Sequence, residues 1–478
     1  LHSVTPGTAP VPHSVPAHGG GRLTPGGRGA AERPATGYHG PVDAPGTQPW
    51  FRRVWRILSR GPLRVAGEGL LSFVAGATLL LYCYPHFWWL LRERTLVRLT
   101  DVYRPGDYGG PLFLIARSLE EETGYRSQLL GHPVGFPFGG DFSNQLVTDL
   151  MAALVRIAGM PLGYNLWVVG MLASNGVAVH LAARLAGARP LPALVAGLTG
   201  AVTPLVVEEI LSGRPVSSWW APALAATALC VASLRSWRRL WLAVPGVLCL
   251  YLSVKLYAYS PVLLLPWTAL AGVAALWPLR RGRFARAAIV LGVAGGVAYL
   301  ALRGSLHAMP SYLDVYPNLR QNSLSFRDLM DLGRGGESFI RIPAVTLLAA
   351  LVGVGLGWRK IPRWLPAALA ALLLMAISLG ASFHGRGEAI DIDRRMPYVW
   401  LIDHVKVLWG CPRPTRYGMA AALLLALWMG VALSGAWAHE RKVWRWIARA
   451  VSVAALVGMF AQSFHADPVS WYPPWPMY

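Results

Sequence analysis

The sequence predicts an all-α integral membrane protein with about eleven transmembrane helices and a long first outer loop carrying two amphipathic interfacial helices. Two observations predict this. Of the 478 residues, 54% are hydrophobic and only 14% charged, where ordinary soluble domains carry about 25% charged residues; mean hydropathy is +0.41. So little charge cannot cover a soluble surface of this size. Second, arginines gather in every other short connector between apolar runs, which is the pattern of a multi-pass protein with basic cytoplasmic loops.

The chain opens on residues 1–49, rich in Pro, Gly, His and Ala. Such a segment cannot bury enough apolar surface to offset ordering entropy and is expected to be a disordered cytoplasmic tail. Residues 50–65, WFRRVWRILSRGPLRV, are basic and amphipathic and read as an interfacial helix on an anionic leaflet. The polytopic domain follows at 66–464. Its expected spans are 68–91, 161–185, 190–211, 217–234, 240–254, 260–279, 287–302, 343–357, 365–382, 417–437 and 447–464, each an apolar run near membrane length. Residues 465–478 then begin an outer C-terminal segment, expected to be truncated.

The connectors with Arg184/Arg189, Arg235/Arg238/Arg239, Arg280/Arg281/Arg283/Arg286, Arg359/Lys360/Arg363 and Arg441/Lys442/Arg445 fall on one side, which places the N-terminus inside and the C-terminus outside. Arg92, Arg94 and Arg98 break the pattern, as long translocated loops are free to do. Trp88, Trp89, Trp167, Trp219, Trp220, Trp237, Trp241, Trp358, Trp364 and Trp444 flank apolar runs, as indoles of an aromatic belt do. The net charge of +21 is explained by these connectors and calls for no nucleic-acid partner. Cys83, Cys230, Cys249 and Cys411 make no CxxC or Cys/His spacing, so neither a disulfide framework nor a zinc site is indicated.

Three long loops fall outside: 92–160, 303–342 and 383–416. The first is the most informative. Leu112, Ile115, Ala116 and Leu119 form one helical stripe, and Leu146, Leu150, Ala153, Leu154 and Ile157 another. Neither is long or apolar enough to span, so both are expected to lie flat on the outer leaflet. Asp107, in Pro105-Gly106-Asp107-Tyr108-Gly109-Gly110, precedes the first stripe and Asp141 the second. A carboxylate there either caps a helix or, flanked by glycines, meets a ligand. Glu208 and Glu209, near the end of the third span, are costly against lipid and are expected to face the outer cavity or the interface.

Gly106-Asp107, a flat helix, His132-Pro133-x-Gly135, a second flat helix, and Gly163-Tyr164-Asn165-Leu166 opening the next span resemble GT-C-type polytopic membrane glycosyltransferases, in a poorly characterised bacterial branch. The resemblance runs on through Ser212-Gly213-Arg214, Trp219–Pro222, Met396-Pro397-Tyr398 and Arg413-Pro414-Thr415-Arg416-Tyr417. It implies a cell-envelope enzyme of the bacterial inner membrane that takes a sugar from a polyprenyl-phosphate-linked donor to an acceptor on the outer face. Asp107 matches the family's first-loop acid, a general base or acceptor-orienting group. The leaving phosphate calls for cations, for which Arg413, Arg416, Arg394, Arg395 and Lys255 are the candidates; His132 and Asp141 are candidate substrate contacts. The family's acid often has a second acid beside it, whereas here Tyr108-Gly109-Gly110 follow. No cofactor is spelled out, no metal-ligand set is evident, and a divalent metal stays open. Membrane lipids and other membrane subunits are further partners. A lipid or polysaccharide flippase, or a non-catalytic polytopic scaffold, are the alternatives. A transporter calls for repeat symmetry and mid-membrane acids, and the spans carry few of the latter.

Overall fold

The computed structural model describes residues 61–83, 126–127, 136–137, 145–160, 162–211, 215–257, 259–277, 281–302, 344–357, 361–380, 396–405 and 413–464, all within one unit, Ile57–Tyr478. These residues form fifteen α-helices, two 3-10 turns and one two-stranded antiparallel pairing. Among the described residues, five helical stretches are long and apolar enough to cross a membrane: Leu162–Leu185, Pro190–Val207, Trp237–Tyr257, Gly282–Ala301 and Arg416–Trp437. Shorter apolar helices cover Val65–Leu81, Ala221–Leu234, Leu265–Leu276, Val345–Leu356 and Pro362–Ser378.

In chain order the helices are α1 (Gly61–Cys83), α2 (Gln145–Ala158), α3 (Leu162–Leu185), α4 (Pro190–Ala201), α5 (Pro204–Leu211), α6 (Ala221–Leu234), α7 (Ala243–Tyr257), α8 (Tyr259–Leu263), α9 (Leu265–Leu276), α10 (Arg281–Leu302), α11 (Ala344–Gly357), α12 (Ile361–Ser378), α13 (Pro397–His404), α14 (Thr415–Trp437) and α15 (Lys442–Phe464). The strands β1 (Arg126–Ser127) and β2 (Phe136–Pro137) pair antiparallel.

Helix α14 is the centre of the protein. It packs against α3, α4, α11, α12 and α15, and 94% of its apolar stretch is buried within the protein. A helix that is apolar all round belongs in such a position. By contrast, only 22% of the α10 stretch is buried, so most of its apolar surface is left to face lipid. Small residues set the close crossings, as they do where helices associate without water to drive them. A Cβ on Gly176 of α3 would stand 2.5 Å from the Gly197 carbonyl oxygen of α4, and one on Gly197 would stand 2.7 Å from Ser72 Oγ of α1. Only glycines let α1, α3 and α4 approach this closely.

The basic connectors collect at one end of the helices. Helix α3 closes in a Schellman motif: Ala188 N–H donates to the Ala183 carbonyl and Gly187 N–H to that of Arg184, with Gly187 at φ +93°. Arg184 Nε meets Glu68 of α1 at 2.7 Å, and Arg189 Nη1 reaches the Trp437 carbonyl. Arg235 donates to the Leu185 carbonyl and Arg286 Nε to that of Leu234. These contacts tie together the ends of α3, α6, α10 and α14 that the sequence expects on the cytoplasmic side.

Helix falls in each of the eleven expected segments, with two breaks that the reading of single spans missed. The segment 190–211 divides between α4 and α5, and 260–279 between α8 and α9. Each break precedes a proline, Pro204 or Pro266. Proline supplies no N–H to the carbonyl four residues back; Thr203, before Pro204, also leaves helical geometry as pre-proline residues do, whereas Leu265 stays in α9 with Pro266 in its first turn.

One expectation about faces changes. Trp167, Trp220 and Trp364 are buried at 5%, 0% and 7% exposure, so they belong to the core and not to an aromatic belt; Trp237 and Trp241 are exposed as a belt requires. On α2, Val147, Met151, Ala152 and Val155 face the protein, while Leu150 and Ile157 are exposed. The helix is apolar on two sides: i, i+4, i+8 positions pack on α3, and part of the stripe read from sequence points away from the protein. The first stripe, at 112–119, lies outside the described residues, as do residues 50–60 of the interfacial helix expected at 50–65, Trp88, Trp89, Trp358 and the two terminal segments; residues 61–65 fall in α1.

Candidate functional site

At the end opposite the basic connectors, a buried ion pair joins two helix termini. Pro204 interrupts the third apolar run, and the Thr203 carbonyl accepts from Val206 and Val207 N–H to start α5. Thr203 Oγ1 turns back to the Thr199 carbonyl at 2.9 Å, which closes off α4. The short α5 presents Glu209, only 8% exposed. A 3-10 turn, Pro215–Ser218, then brings Ser217 alongside, and its Oγ donates to Glu209 Oε1 at 3.1 Å.

Arg416 comes from the first turn of α14. Its Nε stands 3.7 Å from Glu209 Oε1, within ion-pairing distance but too far for a hydrogen bond. Its guanidinium carbon lies 5.4 Å from the centre of the Tyr257 ring, at the end of α7, a cation–π contact. A cation in the first turn of a helix opposes the helix dipole. The Glu209 carboxylate and the Tyr257 face offset that cost. Tyr259 extends the aromatic wall, edge-on to Tyr257 at 5.7 Å.

Arg413 sits one turn before Arg416, where the Arg416 and Tyr417 N–H groups donate to the Arg413 and Pro414 carbonyls. Its Nη1 is covered by protein. Lys255 occupies the last turn of α7, two residues before the Tyr257 on which Arg416 rests. The Met396-Pro397-Tyr398 and Arg413–Tyr417 motifs meet: the Tyr398 and Tyr417 rings contact at 5.5 Å and 74°, both buried. Of the sequence candidates, Arg413 and Arg416 share the start of α14, and Arg416 meets the end of α7, where Lys255 stands two residues before Tyr257. Asp107, His132, Asp141, Arg394 and Arg395 lie outside the described residues.

Sequence reasoning gave Glu209 no defined partner and did not single out Ser217 or Tyr257. It also missed Asn175, which holds the neighbouring helix start. Asn175 lies in the middle of α3, fully buried. Its Oδ1 accepts from the N–H groups of Trp220 and Ala221, both at 2.8 Å, and its Nδ2 donates to the Ser218 carbonyl at 2.8 Å. This is a helix cap supplied from another helix, serving the first N–H groups of α6 that a local side chain leaves open. Trp219 Nε1 adds a bond to Ser174 Oγ at 2.9 Å. Asn175→Leu is expected to leave two buried N–H groups unpaired and to cost about 1–3 kcal/mol for each, read as an earlier melting transition in detergent. Unchanged melting would remove Asn175 from this role.

Chemically, the ion pair presents a cation fixed in place by its counter-charge and by a ring face, at the positive end of α14. This arrangement suits an anion approaching from outside the bundle. Glu209 and Ser217 add acceptors suited to hydroxyl groups. Among the described residues no three His, Cys, Asp or Glu side chains gather as a metal site does.

No protein-family description matches the chain, and no curated protein sequence matches it. Solved structures with similarity include an archaeal oligosaccharyltransferase, AglB from Archaeoglobus fulgidus, in complex with an inhibitory peptide and a dolichol-phosphate (13% identity, 89% of this chain and 57% of that one, TM-score 0.46). The A. fulgidus oligosaccharyltransferase in its apo form is similar at 15% identity, with 89% of this chain and 57% of that one covered and a TM-score of 0.44. The chain spans a little over half the length of these proteins. Likeness at this level carries no residue role over to this chain.

Proposed function

We propose that this chain is a GT-C-type membrane glycosyltransferase that moves a sugar from a polyprenyl-phosphate-linked donor to an acceptor on the outer face. The observation that carries the reading is Arg416, clamped between Glu209 and Tyr257 at the end of the helices away from the basic connectors. It stands in the motif that resembles the family's segment before a late span, one turn after Arg413. Neutralising a lipid phosphate asks for cations of this kind at the membrane rim.

In this reading an acceptor hydroxyl attacks the anomeric carbon. A new C–O bond forms as the bond to the lipid phosphate breaks, and the phosphate departs with the electron pair. Asp107 takes or orients the acceptor proton. Arg413 and Arg416 oppose the charge that grows on the leaving phosphate. Lys255, Arg394 and Arg395 add positive potential, and His132 and Asp141 contact the substrates.

The helix count of about eleven, the flat placement of α2, a cytoplasmic N-terminus, a bacterial inner-membrane location and association with other membrane subunits belong to the same proposal. Purified protein supplied with radiolabelled polyprenyl-phosphate sugar is expected to consume the donor and release the lipid phosphate. Passage of intact donor across sealed vesicles, with no bond broken, would replace this reading with a flippase; neither activity would point to a scaffold.

A further inference from the structure

At the basic end of the helices, far along α14 from the Glu209–Arg416 pair, a groove opens between α3, α6, α9, α12 and α14. Small side chains line much of it, Ala182 of α3, Ala228 of α6 and Ala271 of α9 among them, with Trp267 one turn before Ala271 on α9. Small residues on facing helices leave an open groove of about 50 Å³ that larger ones would fill. Pro366, inside α12, also lines it, and deprives the Pro362 carbonyl of its helical donor.

Two guanidiniums complete the lining, Arg235 and Arg363. Arg235 gives one N–H to the Leu185 carbonyl at the end of α3 and lies within electrostatic reach of Arg239 and Arg363. Arg363 stands beside Gly187, where a Cβ would come within 3.1 Å of its Nη1. Among the described residues, no carboxylate pairs with Arg235 or Arg363 and no hydrogen bond is made by Arg363. Like charges that share one groove without a counter-charge repel each other, and an anion between them removes the repulsion.

We propose that this groove holds one phospholipid with an anionic headgroup, drawn from the leaflet at the basic end. Its phosphate sits between Arg235 and Arg363, and one acyl chain runs along the alanine wall beside Trp267. The charge pattern selects this occupant. An apolar wall gives nothing to a free phosphate, the two arginines give nothing to a neutral chain, and a second copy of this basic face is repelled. The site is separate from the proposed donor site at the opposite end and does not depend on its activity.

The test uses the full chain in vesicles of neutral phosphatidylcholine doped with phosphatidylglycerol bearing a photoactivatable acyl chain. Cross-linked peptides are mapped by mass spectrometry. Label is expected on α6, α9 and α12, and far less from the phosphatidylcholine analogue. Each basic side chain near an anionic lipid strengthens binding about fivefold, so R235Q/R363Q is expected to lose labelling on the order of 25-fold. The variant gives up the Arg235 bond to the Leu185 carbonyl, so its size-exclusion profile and melting are compared with the parent's before labelling is read. Ala274→Phe, also on the groove and exposed, keeps the arginines but fills the channel and is expected to lose label too. Equal labelling of parent and variants, equal labelling by the neutral analogue, or displacement of the label by inorganic phosphate would each overturn the proposal. The comparison of anionic with neutral analogue needs no variant, so it stands even if a substitution impairs folding.

Discussion

Arg416→Ala is expected to destabilise the protein by about 3 kcal/mol, the lower end of the range for breaking a buried ion pair. The substitution takes a cation from Glu209, which is 8% exposed. The value falls at the low end because Ser217 still donates to Oε1 and because the pair is 3.7 Å apart. Detergent melting curves measure the loss. The same substitution is expected to stop donor turnover. These two effects separate in the double variant Glu209→Met/Arg416→Met. Apolar residues of similar volume commonly restore the stability of a broken buried pair, yet they cannot oppose the charge of a leaving phosphate. The double variant is therefore expected to melt near the parent and to stay inactive. Restored turnover in that variant would reduce the pair to a structural clasp.

Asp107→Asn is expected to lower transfer by about 100- to 10,000-fold, the usual contribution of a positioned general base, while expression, size-exclusion profile and melting stay as in the parent. Asparagine keeps the volume and the acceptor oxygen of the side chain but cannot take a proton. Binding of the lipid donor is expected to survive, because the phosphate is assigned to Arg413 and Arg416. A variant that turns over donor at the parent rate would remove Asp107 from the mechanism.

The helices were legible from the sequence where a single physical signal sufficed. The run at 417–437 is apolar on every side and forms α14, Thr415–Trp437. The basic connectors, read as one side of a membrane, meet in space through Arg184, Arg189, Arg235 and Arg286. Hydropathy runs alone hid the helix breaks, although Thr203-Pro204 carried the pre-proline signal and Pro266 the missing N–H that suits the first turn of a new helix. Tryptophan chemistry predicts an interface but does not distinguish it from a core, and Trp220 went to the core because Asn175 ties its N–H to α3. The site was legible only in part. Arg416 and Lys255 stood out as cations next to spans. The pairing of Arg416 with Glu209 was hidden, because residues so far apart in the chain share no local pattern. Glu209 did carry a usable signal: an acid at the end of an apolar run needs a partner.

The most direct measurement is release of lipid phosphate from a polyprenyl-phosphate sugar by purified parent protein, run beside Asp107→Asn and the Glu209→Met/Arg416→Met variant in the same detergent. The proposed glycosyltransferase predicts steady release by the parent and background release by both variants, with all three proteins equally folded. Equal release by the three, or none from the parent with its acceptor present, would contradict it.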